Sequence, residues 1–276
     1  MVDALQQRGW RVTTCDLAGG EHHDANDFFR NYVITYDLVV HAAASSPHRA
    51  AIDGEPQHMA RNLQLDAAMF DWAVRTGQGR VLYLSSSAAY PVDLQSRAQR
   101  RLTETDIDLA CAREPDAAYG WTKVTGERLA AQARKAGLPV TVVRPFSGYG
   151  EDQTENFPFR AIVERARRRE VPFTIWGDGT QVRDWIHIDD VIAACLAIVA
   201  DGTDQPVNLC TGIGTSMVEI ARMACYQLGH EPAWRFRADR PAGVAYRVGD
   251  PTLLHQFYRP TVTRAEGIAR ALAQSR

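Results

Sequence analysis

Lysine is almost absent from this chain. Of 31 basic residues in 276 positions, only Lys123 and Lys135 are lysine and the other 29 are arginine. A lysine in a chemical position therefore stands out. Charge of one sign is not in excess either. The 33 acidic residues leave a net charge of −2, which excludes a bulk attraction to nucleic acid or an anionic membrane. Cysteine is sparse. Cys15, Cys111, Cys195, Cys210 and Cys225 are odd in number, widely spaced and without any C-x-x-C pair. No disulfide framework and no metal site are expected, and a reducing cytoplasm fits best. No apolar run approaches the ~18 residues of a membrane span. Residues 1–10 lack the charged-then-apolar layout of a secretion signal. Repeats and low-complexity tracts are missing as well. What is present is ordinary: 45% hydrophobic and 23% charged residues, enough for a substantial core. The length suits one large domain or two closely joined ones.

The first 150 residues alternate short apolar runs with helical spacing. Strands are expected over Arg11–Cys15, Leu38–Ala42, Val81–Leu84 and Val140–Arg144, the last closed by Pro145. Helices are expected over Asn62–Arg75 and Tyr119–Ala136. Continuous apolar strands separated by helices predict an α/β fold with a doubly wound parallel sheet covered on both faces. Such sheets bind ligands beyond the carboxyl ends of their strands, where the notable polar residues fall. After Gly150 the rhythm changes. Helices are expected over Phe157–Arg169, Asp189–Val199 and Arg264–Ala273, and strands over Phe173–Trp176 and Val207–Cys210. Ser216 to Glu219 has capping-box spacing, and Arg240–Asp250 reads as a loop. This second half, 151–276, reads as a smaller lobe docked on the sheet to form a cleft.

The strongest chemical signal is Tyr119-Gly120-Trp121-Thr122-Lys123. A Tyr and a Lys four apart on a helix share one face. A phenol alone, with a pKa of about 10, is a poor base at neutral pH. A nearby ammonium favours the phenolate, and the pair can then exchange a proton with a substrate hydroxyl. Chance placement would give about 0.07 such pairs in this composition, so the spacing is informative. Ser85-Ser86-Ser87 follows an apolar strand, which puts a hydroxyl at the same sheet edge.

With these residues in place, the chain resembles the extended short-chain dehydrogenase/reductases, and within them the NAD-dependent sugar-nucleotide epimerases and dehydratases. The likeness continues through Asp37-Leu38-Val39-Val40-His41-Ala42-Ala43-Ala44, through Asn62, and through Arg144-Pro145-Phe146-Ser147-Gly148-Tyr149-Gly150. It also includes Trp176-Gly177-Asp178-Gly179-Thr180 and Arg183-Asp184-Trp185-Ile186-His187-Ile188-Asp189-Asp190. The resemblance implies a Rossmann-type NAD-binding domain over 1–150 and a mainly substrate-binding lobe over 151–276. It implies Tyr119 as acid/base, Lys123 as its tuning and ribose-holding cation, and Ser86 (with Ser87 as alternative) as the third catalytic group. Asp16 matches the carboxylate on the adenosine ribose, which favours NAD over NADP. Asp24, Ala42, Ala43, Ala44, Asn62 and Pro145 complete the implied cofactor set. Ser87, Ser147, Asn156, Arg183 and Arg247 fall at substrate positions. Arginine suits a diphosphate because its fork binds two oxygens.

The resemblance further implies a homodimer through the helices of 61–76 and 119–136, with Ala68, Met69, Trp72, Val124, Leu129 and Ala133 as a candidate seam. The expected substrate is a UDP- or GDP-linked sugar. Two departures from the family pattern matter. The opening strand and its Gly-x-x-Gly-x-x-Gly phosphate turn are not found, and Met1–Gly9 reads as the helix that follows them. A start placed about 15–20 residues late, a segment supplied otherwise, or a truncation that weakens cofactor binding would each account for this. The second departure concerns chemistry. Where dehydrating and decarboxylating members carry acids beside the serine, this chain has Ser87 and Ala88. Where members that epimerise next to a ketone carry a Cys, it has Ala88. Simple oxidation and reduction remains, and 4-epimerisation through a transient 4-keto sugar is the expected reaction, with NAD(P)H-dependent 4-keto reduction or a catalytically impaired nucleotide-binding protein as the alternatives.

Overall fold

The computed structural model describes residues 1–17, 20–22, 24–45, 56–96, 99–240 and 243–274. In chain order its helices are α1 (Val2–Gln6), α2 (Ala25–Asn31), α3 (Pro56–Thr76), α4 (Ala117–Lys135), α5 (Pro158–Arg167), α6 (Ile188–Asp201), α7 (Met217–Gln227) and α8 (Arg264–Ala273). Its strands are β1 (Val39–His41), β2 (Val81–Leu84), β3 (Val140–Pro145), β4 (Ser147–Tyr149), β5 (Phe173–Trp176), β6 (Val182–His187), β7 (Val207–Leu209), β8 (Gly214–Ser216), β9 (Trp234–Arg237) and β10 (Tyr246–Arg247).

The expected apolar runs pair into one parallel sheet of order β1-β2-β3-β7. Val39 stands beside Val81, and Val81 beside Val140. One face is packed by Phe28 and Phe29 of α2, Met69 and Trp72 of α3, and Ala130 and Ala133 of α4. The other face is packed by Val191, Ala194, Cys195 and Ile198 of α6. Burial on both faces is why these strands are uniformly apolar instead of alternating. A second, mixed sheet runs β10-β6-β4, with β8 antiparallel on β6. A third has β5 parallel to β9. Below these lies a separate core built from Phe159, Val163, Phe173, Ile220, Ala224 and Ile268, carried mainly by α5, α7 and α8.

Local signals explain the helix ends. Proline stands first in α5, where a missing N–H is harmless. Gly202 ends α6 with φ +85°, a left-handed stop suited to glycine. Ser216 and Glu219 form the expected capping box on α7.

Three expectations need correction. Arg11–Cys15 is not a strand. Its backbone turns back locally, with Asp16 N–H donating to His22 O at 2.9 Å and His22 N–H to Thr14 O at 3.1 Å, so no ladder to β1 forms. β1 therefore stands at the edge of its sheet. Arg240–Asp250 is not all loop, because Tyr246–Arg247 pairs with Val182–Arg183 as β10. Most of the candidate dimer seam also faces inward, with Ala68 and Leu129 half-buried at the margin of the same core. Met69, Trp72, Val124 and Ala133 are buried within the chain, against the sheet and the helix between them.

Candidate active site

Helix α4 brings the Tyr–Lys pair to the carboxyl end of β2. Its start is fixed to the serine segment by backbone, since Asp116 N–H donates to Ala88 O at 3.0 Å. Gly120 permits this approach. A Cβ there would stand 2.4 Å from Ala88 O and 2.9 Å from Pro115 Cβ, so a larger residue would push the helix off. Tyr119 is half-buried and Lys123 is buried. The Lys123 Nζ donates to Leu84 O at 2.9 Å and lies 5.7 Å from the Tyr119 ring centroid. It lies 5.1 Å from the Tyr83 ring as well. Tyr83 is unsuited to proton transfer. Burial, then the Asp66 carboxylate, pushes its phenol well up, and its hydroxyl donates to Asp66 Oδ2 at 2.6 Å. That leaves Tyr119 as the phenol that pairs access with a neighbouring cation. Ser86 is half-buried at the head of a short 3-10 turn, where its Oγ accepts Ala88 N–H at 3.1 Å. Ser87 is buried beside it.

Beneath the serines lies a polar network that motif reading misses. Glu127 and Arg144 form a two-pronged ion pair, with Nε to Oε1 at 2.9 Å and Nη2 to Oε2 at 2.7 Å. Ser85 Oγ donates to Glu127 Oε1 at 2.5 Å. Arg144 Nη1 donates to Tyr90 Oη and to Glu104 O, and Tyr90 Oη donates to Asn208 Oδ1 at 2.6 Å. Burial pulls the Arg144 guanidinium towards losing its proton, but Glu127 and Tyr90 outweigh it and hold it above its ordinary value. A buried pair this well bonded fixes geometry, because loss of either partner strands a charge. The helical spacing from Lys123 to Glu127 offered a signal for it. The contacts of Asn208 offered none.

The implied cofactor residues partly assemble. A cavity of about 680 Å³ opens beside β1, lined by Asp16, Asp24, Ala42, Ala43, Ala44 and Ser45 among others. Its size suits a large organic ligand. The Asp16 carboxylate and the small alanines line this cavity, whereas Tyr119 and Lys123 are not among its lining residues. The described residues offer no glycine-rich helix start for the diphosphate. Two predicted residues serve structure. Asp24 caps α2 by accepting Asn26 N–H at 2.8 Å. Asn62 is spent on Ser45, accepting its N–H at 2.6 Å and donating to its carbonyl at 3.1 Å, which holds the Ala42–Ser45 loop. Pro145 ends β3, half-buried.

The substrate positions lie on the second sheet and its loops. Ser147 opens β4, half-buried and level with Trp185. Asn156 is exposed in the turn before α5. Arg183 and Arg247 stand directly opposite each other on β6 and β10. Arg183 donates to Val182 O and Val244 O, both at 2.8 Å. Arg247 is buried, with Nε donating to Gln95 Oε1 and Nη2 to Asp116 Oδ2, both at 2.5 Å. Gln95 and Asp116 lie 152 and 131 residues away in sequence, so local patterns could not have found them.

Comparison with known proteins agrees with this layout. The profile of the NAD dependent epimerase/dehydratase family matches residues 1–210. The chain belongs to this family. A similar curated relative is the dTDP-4-dehydro-6-deoxy-D-allose reductase of Streptomyces bikiniensis, 29% identical over 270 residues, covering 91% of this chain and 78% of the relative. Among solved structures, the UDP-glucose 4-epimerase of Thermotoga maritima superimposes with a TM-score of 0.83 at 23% identity, covering 98% of this chain and 92% of its own. MoeE5 in complex with UDP-glucose and NAD gives a TM-score of 0.83 at 25% identity, with coverage of 98% and 92%. Family membership makes the chain a sugar-nucleotide-modifying, NAD-type enzyme of the α/β class. Among the described residues, no helix is long and apolar enough to cross a membrane.

Proposed function

We propose that this enzyme oxidises and reduces the C4 position of a nucleoside-diphosphate-linked hexose, with 4-epimerisation as the net reaction. The observation that carries this reading is the Tyr119–Lys123 pair set against Ser86–Ala88, with no acid or thiol at Ser87 or Ala88. Ser87 and Ala88 themselves offer no acid to expel water and no thiol to move a proton on carbon. In this reading residues 1–150 hold the cofactor and 151–276 mainly hold the sugar nucleotide. Bound along Asp16, Ala42–Ala44, Tyr119 and Lys123, NAD supplies a hydride acceptor that also returns the hydride. Tyr119 Oη takes the proton from the sugar 4-hydroxyl and later gives it back. Ser86 Oγ orients that oxygen, and Lys123 provides positive charge beside the phenol. Arg183 and Arg247 hold the diphosphate while the 4-keto sugar turns, and the small side chains of Ala88 and Ser147 leave room for the turn.

The Streptomyces relative favours a second reading, stoichiometric reduction of a 4-keto sugar nucleotide. The two are separated by one assay. An epimerase converts a nucleotide hexose into its C4 epimer with no net change at the nicotinamide absorbance band. A reductase consumes reduced cofactor in proportion to a 4-keto substrate. Neither behaviour with any UDP-, GDP- or dTDP-linked sugar, with NAD bound, overturns the C4 assignment.

A further inference from the structure

Lys123 is a buried ammonium surrounded by one carbonyl and two aromatic rings. Its Nζ donates to Leu84 O at 2.9 Å and lies 5.1 Å from the Tyr83 ring centroid and 5.7 Å from that of Tyr119. Glu127, one turn further along α4, is engaged by Arg144 and Ser85. The remaining buried carboxylate of this region is Asp66 on α3, at the hydroxyl end of Tyr83. Its Oδ2 accepts Tyr83 Oη at 2.6 Å, and its Oδ1 is bonded to His41 Nε2 at 2.8 Å. The His41 and Tyr83 rings lie nearly parallel, with centroids 5.9 Å apart. Helix α4 closes on this group at Gly126, three residues after Lys123. A Cβ there would overlap Tyr83 Oη and stand 2.6 Å from Asp66 Oδ2. Elements β1, β2, α3 and α4 thus meet at one buried carboxylate that the proposed proton transfer does not touch.

We infer that Asp66 is a positioning residue for Lys123, acting through the Tyr83 ring. This rests on the reading of Tyr119 and Lys123 as the proton-transfer pair. A cation near an aromatic ring is attracted by the negative face of its π system. A phenol that donates its proton to a carboxylate gains electron density in its ring, so the Asp66 bond strengthens that attraction. The ammonium then stays charged in a dry place, beside Tyr119 and with Leu84 O as its acceptor. His41 fixes the other carboxylate oxygen and also lines the cofactor cavity, so the wall of that cavity and the catalytic lysine share one buried chain of contacts. Two observations set this apart from plain packing. A neutral acceptor would satisfy the Tyr83 hydroxyl without the cost of burying a charge. And the room for the bond is kept by a glycine in the helix that carries Lys123, where any side chain would displace it.

The scarcity of lysine makes the test direct. In protein isotope-labelled at lysine alone, NMR shows the side chains of Lys123 and of the exposed Lys135, the second serving as an internal reference. A pH series reads the midpoint at which each ammonium loses its proton. Asp66→Asn keeps the shape of the side chain and an acceptor for Tyr83 but removes the charge. Tyr83→Phe keeps the ring but removes the hydroxyl. Asp66→Asn lowers the Lys123 midpoint by about 0.5–1 pH unit, short of the effect of an opposite charge in direct contact, and leaves Lys135 unmoved. Tyr83→Phe lowers it too, and in that background Asp66→Asn adds less than half of its own effect. A merely structural role lowers the urea unfolding midpoint and leaves the Lys123 titration in place, which overturns the inference. An equal Asp66→Asn shift with and without the Tyr83 hydroxyl overturns the route through the ring. If Asp66→Asn does not fold, Tyr83→Phe decides alone: a lowered Lys123 midpoint supports the inference and an unmoved one overturns it. The readout needs neither cofactor nor sugar. If Lys123 shifts as stated while no sugar nucleotide is turned over, the C4 reading falls and the tie between Asp66 and Lys123 stands.

Discussion

The floor under the serine segment and the wall of the cofactor cavity lie along the same sheet but are held in opposite ways. The floor is over-determined. Ser85, Glu127, Arg144, Tyr90 and Asn208 bond one another in the dry interior, and Gly120 brings α4 into backbone contact with Ala88. The wall is held by short-range loop contacts and a few bonds to α3. Residues 14–16 pair with their own loop instead of with β1, and Ser45 is tied to α3 through the Asn62 amide and His58 Nδ1. The contrast teaches where precision is built in. On the proposed reading, the groups that move protons rest on a rigid floor, and the cofactor cavity is bounded by the more loosely tied loops.

Four substitutions probe that contrast, from the largest effect to the smallest, and a fifth serves as a reference outside it. Tyr119→Phe removes the proposed proton carrier, whose phenol is not part of the Ser85–Glu127–Arg144–Tyr90–Asn208 floor. Turnover should fall by about 10²–10⁴-fold with an unchanged unfolding midpoint. Glu127→Ala strands the Arg144 charge, and urea unfolding should show a loss of about 3–5 kcal/mol. Gly120→Ala forces a Cβ against Ala88 O. It should cost about 1–3 kcal/mol in the same assay and reduce turnover beyond the stability loss, because Tyr119 rides on the displaced turn. On the wall, Asp16→Ala should weaken NAD binding by calorimetry about tenfold while stability stays within about 0.5 kcal/mol. A large stability loss there would erase the contrast between the two regions.

The smallest effect belongs to neither region. The Ser216 backbone N–H, and then its hydroxyl, hold the Glu219 carboxyl below its ordinary range. A carboxyl lowered in the folded state adds stability above the ordinary carboxylate pKa and loses it as pH falls through the folded value. Ser216→Ala should cost about 1 kcal/mol near neutrality, and less in acid, by thermal unfolding at a series of pH values.

Local chemistry was legible in the sequence. Val81–Leu84, Val140–Pro145, the Ser216–Glu219 cap and the Tyr119–Lys123 face each depend on residues within a few positions of one another. Arg11–Cys15 shows the limit. Its composition suits a strand, but a strand exists only where a neighbour offers its backbone, and composition carries no information about the neighbour. The block Arg183–Asp190 was visible as a motif yet not as β6, because its charged residues break the apolar run. Arg247 was placed by motif alone. Its partners Asp116 and Gln95 come from remote loops, so its tie to the catalytic helix became visible only in three dimensions.

The central claim is that Tyr119 exchanges a proton at C4 of a nucleotide-linked sugar. The direct measurement incubates the protein with NAD and, separately, UDP-, GDP- and dTDP-linked hexoses, separates the C4 epimers, and repeats the experiment with Tyr119→Phe. The account predicts interconversion of at least one sugar nucleotide and its near-complete loss in the variant. Interconversion that survives unchanged in the variant would contradict it.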